Sequence, residues 1–555
     1  MTQSTKLNKK KTTPKTVFQV ATAHNLQLGV SANGNLQFKK EPLQHLYELT
    51  VSTLFGKSTF YRTSDTLVQS LRVEVLRAVD MKAFDFIANV AVHARGEMNI
   101  RTIPIVLVVE FAKALADRRQ PILKEIEKLQ AINSSTSNQE TLIKDTVAKL
   151  QVELEGYTYR NMRQLVCDVI QRADQINDMY AYALDVFGSK GKIPMAIKRG
   201  VGDAFNKFGA YGFAKYNRDG AVKFRDVLRI VHPDAKDIKQ GQIFKQIMEE
   251  SLQTPYTWET ELSANGQLPV LERKSKKDLW TELLVSGKIG YMALLRNLRN
   301  IAEAGVDDAI IKEYVADIIA DEARVAASRQ LTFDFIQAYD VVKGLNTRMA
   351  TAVSKAIDAS VKYLPELGKK PWIIIDYSGS MSGDAVNTAT LLAAALLKAN
   401  ESATNLGVTM FGSSAKTLKG VDINNSVLGI QRDLLSHRKG EIAGSTNFYA
   451  GLQEAPKLGF IPDTVIVFTD GEINAFPYQA LKLATGNSNV VKITVNLNGA
   501  PTTPFIKAEG WYTMSGWTPA MFKWVPAIRN KETVVDALSG SYIGLKKIVQ
   551  EETTD

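Results

Sequence analysis

The residues with the clearest capacity for chemistry are Asp376-Tyr-Ser378-Gly-Ser380-Met-Ser-Gly, which begin as the apolar run Trp372-Ile-Ile-Ile-Asp376 ends. Asp376, Ser378 and Ser380 stand at i, i+2 and i+4 on one tight turn, and the glycines between them permit that turn to fold around an ion. Two later segments, Gly444-Ser-Thr446-Asn447 and Thr469-Asp470-Gly-Glu472, offer Thr446 and Asp470 to close the shell. Carboxylates, hydroxyls and waters suit a hard divalent cation such as Mg²⁺, with Mn²⁺ and Ca²⁺ sharing the same oxygen chemistry. An isolated Asp-x-Ser-x-Ser is often only a helix N-cap. Three such segments in order, two of them directly after apolar strands, predict a metal site.

A second group is cationic. Between Lys190 and His232 ten basic residues face three acidic ones, interleaved with Phe205, Phe208, Tyr216 and Phe224. Lys198, Arg199, Lys215, Arg218, Arg225, Arg229 and His232 are the candidate contacts to a polyanion. Cations neutralise phosphates and release counterions, and exposed aromatic faces stack on unpaired bases. Solvated helix faces over an aromatic core would give the same pattern.

These groups need elements to position them. From Asp65 to Ala116 apolar residues recur at helical spacing, as in Leu67, Leu71, Val75 and Val79, with a break at Arg95–Gly96 and a helix start marked by Pro104. Helical stretches then continue to Tyr363, separated by short Gly, Pro and Asn breaks, which predicts an α-solenoid of HEAT-like pairs over residues 17–365. Glu125–Glu155 is polar and reads as an inserted or mobile segment. After Lys369-Lys370-Pro371 the pattern changes to short apolar strands at Trp372–Asp376, Val408–Phe411, Thr464–Phe468 and Val490–Leu497, alternating with helices. That predicts a doubly wound α/β domain over 366–555, whose ligands sit at the carboxyl ends of its strands.

Charge divides the same way. The 555 residues carry a net +10, yet residues 366–555 hold 17 basic and 17 acidic residues and are neutral. The first 16 residues carry five lysines and no acid, and read as a basic disordered tail. One Cys excludes an intramolecular disulfide framework and a Cys-rich zinc site, and five scattered His leave no His cluster. No apolar run is long enough to span a membrane, and none follows Met1 as a secretory signal would, so a cytoplasmic location is expected.

The 370–540 region resembles the von Willebrand factor A domain and its metal-ion-dependent adhesion site, with all five ligand positions present as Asp376, Ser378, Ser380, Thr446 and Asp470. In that resemblance the two aspartates serve one ion, leaving neither a two-metal nuclease centre nor a general base. Upstream, Phe84–Arg95, Met98-Asn-Ile-Arg101-Thr-Ile-Pro104, Lys192–Arg199, Phe213-Ala-Lys215-Tyr216, Arg225–Pro233 and Tyr291–Leu298 are similar to the TROVE module. The two in succession resemble the Ro autoantigen family, including its bacterial and phage-like orthologues. The resemblance implies a monomeric ring of helical repeats closed by the A domain. It implies binding of small structured noncoding (Y-like) RNA on a basic outer face, and of the single-stranded ends of misfolded RNAs in a central hole. A partner exoribonuclease in RNA quality control and decay is implied too. Lys215 and His232 occupy matching positions in the Y-RNA contact region, while Arg218 lies one place from the family's arginine, where Asp219 stands.

Other motifs fall away. Gly56-Lys57-Ser58 looks like the end of a P-loop, but Val51 occupies the place of its first glycine. Cys167 lies mid-helix beside Val166 and Val169 and reads as a core residue. The expectation is a noncatalytic RNA-binding protein. Two other readings stay open: an adaptor whose ion recruits an acidic protein partner, and a metal-dependent ribonuclease.

Overall fold

The computed structural model describes residues 17–544 except 33, 53–63, 133–136, 189–192, 218–219, 221, 331, 363, 401–402, 404–405, 438–443, 474–489, 498–499 and 517–518. The helical part runs to Val361. Its first pairs form as the four-residue spacing dictates: Leu67, Leu71, Val75 and Val79 on the helix Ser64–Asp80 are all buried. They pack with the helices Phe84–Gly96 and Ile103–Gln130 in one continuous apolar core. Gly200 is required where the helix Met195–Phe205 crosses Met162–Val169. A Cβ there would stand 2.5 Å from the Arg163 carbonyl and 2.6 Å from the Val166 side chain.

Within the stretch 125–155, expected to be an inserted or mobile segment, the described residues lie largely in two long helices. Ile103–Gln130 extends through 28 residues, and Ser137–Glu155 returns antiparallel to it, the Arg119 guanidinium donating to the Leu154 carbonyl at 3.0 Å. A separate small core of Ile122, Ile126 and Val147 holds the two together. Its apolar positions are too sparse among charged residues for composition alone to reveal the pair.

The second part is a six-stranded sheet in the order Ala415–Leu418, Gly407–Phe411, Pro371–Asp376, Thr464–Thr469, Val491–Asn496 and Trp511–Ser515. All neighbours are parallel except the Ala415–Leu418 edge. The central strands Pro371–Asp376 and Thr464–Thr469 are buried along their whole length, as expected for a parallel sheet covered on both faces. The chain leaves Pro371–Asp376 towards one side of the sheet and later fills the other. The switch point therefore lies between Asp376 and Thr469, at the carboxyl ends.

The helical part begins and ends on this α/β part. The last long helix, Thr347–Val361, packs on Asp384–Ala399 and Val427–Ser436, with Asp358 accepting the Val427 N–H at 2.8 Å. At the other end Pro42–Ser52 and Phe84–Gly96 pack on Trp511–Ser515 and Val534–Leu538. There the Asn89 amide donates to the Leu538 and Gly540 carbonyls at 3.1 and 3.0 Å. The path closes on itself. A hairpin of Leu28–Val30 and Leu36–Lys39, which no alternation in the sequence announced, adds Thr502–Thr503 as a third strand. Its Gln37 donates to the Gly471 carbonyl at 2.8 Å, and the Ala32 N–H donates to Glu472 at 3.2 Å. Among the described residues no helix is long and apolar enough to cross a membrane.

Candidate nucleic-acid interface and metal centre

Asp376 ends its strand fully buried, with both carboxylate oxygens engaged: one accepts the Ser378 N–H at 2.9 Å, the other the Thr469 hydroxyl at 2.7 Å. Ser378 and Ser380 stand 3.2 Å apart through their hydroxyls, and Gly379 N–H donates to the Gly444 carbonyl at 3.0 Å. That bond brings the turn against the loop carrying Thr446, itself buried. Asp470 is anchored by the Glu472 N–H at 3.1 Å. Its second oxygen is buried without a hydrogen bond of normal geometry, though the Ser380 hydroxyl lies close enough to favour the charged form. Burial first, and the Asp470 charge second, push the Asp376 carboxyl up to about 7. Burial raises Asp470 in the same direction. Two buried carboxylates that oppose each other's charge, with an orphaned oxygen on Asp470 and the Ser380 hydroxyl beside that carboxylate, fit a divalent cation. Among the described residues no cluster of three or more His, Cys, Asp or Glu gathers at one point, so such an ion would depend on hydroxyl and water ligands.

The cationic stretch folds into three short helices, Met195–Phe205, Ala210–Tyr216 and Phe224–Val231. Phe205, Phe213 and Phe224 form their shared core, with ring centroids 5.7 and 5.2 Å apart between successive members. These phenylalanines are structural and offer no face to a base. The charges point outward: Arg199, Lys215, Arg229 and His232 are exposed, and Lys198 is half-buried. His232 caps its helix in the left-handed region at φ 44°. Arg225 is drawn inward to pair with Glu250 at 3.0 Å, so it is a weaker candidate than its neighbours. Arg218 lies outside the described residues. Cys167 is half-buried and burial raises its thiol pKa, in keeping with a packing role. Gly56-Lys57-Ser58 lies outside the described residues.

A more concentrated group was not apparent in the sequence. Arg95, Arg101, Arg172, Arg296 and Arg329 come from five separate segments, and their charges act on one another. Arg95 is held by the Val169 carbonyl at 3.2 Å and Gln175 at 3.3 Å. Burial, then the charges of Arg101, Arg172 and Arg329, bring its guanidinium down to about 10. Arg101 is lowered for the same reasons, burial foremost and Arg172 and Arg296 next. Arg172 pairs with Asp174 and stacks 4.7 Å over the Tyr216 ring. Asn99 ties the 97–102 loop to this point by donating to the Arg329 carbonyl at 2.7 Å. Arginines scattered over more than two hundred positions carry no local signal; only closure of the helical path assembles them.

The fold is a helical array closed by a doubly wound α/β domain. The TROVE domain family matches residues 249–372, from the helices after Glu249 into the first central strand. Over 103 residues the chain is 36% identical to telomerase protein component 1 of Mus musculus and, equally, of Rattus norvegicus, covering 19% of this chain. The match spans only 4% of the length of these curated relatives. Among solved structures, the Ro (RSR) protein of Deinococcus radiodurans superposes with a TM-score of 0.54 at 16% identity, covering 89% of this chain and all of that one. The chain thus carries a TROVE domain match over residues 249–372 and shares the fold of the Ro (RSR) protein, in line with the resemblance its motifs suggested.

Proposed function

We propose that this protein is a noncatalytic RNA-binding protein of the Ro ribonucleoprotein type. The observation that carries the reading is the convergence of Arg95, Arg101, Arg172, Arg296 and Arg329, with the Tyr216 ring beside them. Like charges gathered at a cost in stability, with few carboxylates to balance them, suit the phosphates of a single strand. Small structured (Y-like) RNA binds separately, over Lys198, Arg199, Lys215, Arg229 and His232. Duplex RNA is recognised mainly by shape and phosphate contacts, so spaced exposed cations suffice. Arg225 contributes at the margin of that face, and Arg218 is a further contact proposed from its place in the sequence alone. In this reading the protein presents misfolded RNA ends to an exoribonuclease in the cytoplasm. Its A domain holds Mg²⁺ through Asp376, Ser378, Ser380, Thr446 and Asp470.

The test is a gel shift with a small structured RNA at several salt concentrations. Lys215→Ala combined with His232→Ala weakens binding and flattens its salt dependence. Unchanged affinity and slope would reject the outer-face assignment. RNA co-purifying with the protein supports the reading, and protein that binds neither structured nor single-stranded RNA rejects it. The orphaned Asp470 oxygen favours a second role for the same chain, an ion that completes its coordination with an acidic group of a protein partner. Mg²⁺-dependent pull-down, lost in Asp470→Asn, tests that role.

A further inference from the structure

Beside the arginine centre lies a cleft of about 230 Å³, between the helices Tyr291–Arg296 and Leu298–Glu303 on one wall and Thr332–Val342 on the other. That is below the roughly 300 Å³ at which pockets for drug-sized ligands begin, so it suits one flat heterocycle rather than a whole nucleotide. Its floor is apolar, with Leu295 and Ala338 buried, and its rim is polar, with Arg296, Arg299, Asp334 and Gln337. Arg101 connects cleft and centre, since the charges of both Arg296 and Asp334 act on it.

We propose that this cleft is a single-nucleobase pocket that prefers guanine, reading one unpaired base of a strand whose phosphates lie on the arginine centre. The proposal rests on the RNA-binding reading above and adds to it a base preference. An apolar floor accepts the face of an unstacked base. Guanidinium groups donate to guanine O6 and N7, the commonest specific base contact, while a carboxylate accepts from its N1–H and N2–H₂ edge. Adenine, cytosine and uracil each satisfy only part of that rim. The Gln337 amide, which both donates and accepts, completes it for a base whose edge carries both kinds of group.

The experiment uses the full chain and labelled oligouridine strands of about ten nucleotides, within the usual single-strand site size. Each strand carries one central G, A, C or U, and affinities are read by fluorescence anisotropy. The G strand is expected to bind about tenfold more tightly, the scale of one bidentate base contact. Ala338→Leu, which fills the floor, and Asp334→Asn, which changes the acceptor, are expected each to abolish the difference while leaving affinity for the all-U strand unchanged. Four strands that bind the parent equally would overturn the base pocket while leaving the RNA-binding reading intact. So would a guanine preference that survives in both variants, or inorganic phosphate that competes equally with every strand. A parent protein that binds none of the strands would reject the RNA-binding reading itself, and the pocket with it.

Discussion

Removing charge from the arginine centre has opposite effects on binding and on stability, which makes it a demanding test. Arg101→Gln combined with Arg329→Gln deletes two of the five cations and leaves Arg95, whose hydrogen bonds to Val169 and Gln175 tie the segments together. For single strands each neutralised phosphate contributes a slope of about 0.7 to the dependence of log K on log salt. Two lost contacts therefore reduce the slope by about 1.4. Between about 50 and 200 mM KCl the parent's affinity should then fall about sevenfold more than the variant's. Folding runs the other way. Burial and like charges bring Arg95 from 12.5 to about 10, a cost on the order of 3 kcal/mol at pH 7, most of it burial. Removing Arg101 and Arg329 relieves the repulsive share, so the variant melts no lower than the parent. The assays are anisotropy with an oligouridine strand at a series of salt concentrations and calorimetric melting, with Lys457→Gln as control, since Lys457 already pairs with Glu454. An unchanged slope with a lowered melting point would refute the reasoning, because the arginines would then be structural.

Other outcomes follow from the same structure. On the proposed reading, Mg²⁺ at about a hundred times its Kd is expected to stabilise the α/β domain by about 2.7 kcal/mol, read as a rise in melting temperature that Asp376→Asn and Asp470→Asn each abolish. Gln37→Leu breaks the bond to the Gly471 carbonyl and weakens Mg²⁺ binding about fivefold by titration calorimetry, the scale of one net hydrogen bond. Phe213→Ala opens the core under the three cationic helices, costing about 3–5 kcal/mol in urea unfolding and weakening structured-RNA binding without touching a cation.

The sequence was most informative where function and fold use contiguous residues. The strand Pro371–Asp376 and the turn after it show an apolar run, a carboxylate and two hydroxyls within nine positions, and the structure places them at the switch point. The edge strands Ala415–Leu418 and Trp511–Ser515 were not evident, because half-buried edges carry weaker apolar signals than central strands. The cations of 190–232 were legible as charge, but which aromatics were free was not: Phe205, Phe213 and Phe224 face one another, which only tertiary packing decides. The helical hairpin at 103–155 was hidden because its separate core is only a few residues wide. The arginine centre is the extreme case, since its members share a place and no neighbourhood in sequence.

The clasp made by the hairpin at 28–39 has a consequence for how the chain is made. Its contacts join residues 440 apart at Ala32 and Glu472, and Asn89 waits for a partner 454 residues later at Ile543. At about 5–20 residues per second, the ribosome delivers those partners roughly half a minute to a minute and a half after the hairpin emerges. During that interval the outer strand edge and the polar groups of Gln37 and Asn89 have only water to bond. Closure of the protein thus waits until Glu472 and Ile543 have emerged, and a ribosome that stalls before residue 470 releases an open helical arc with a bare strand at its tip.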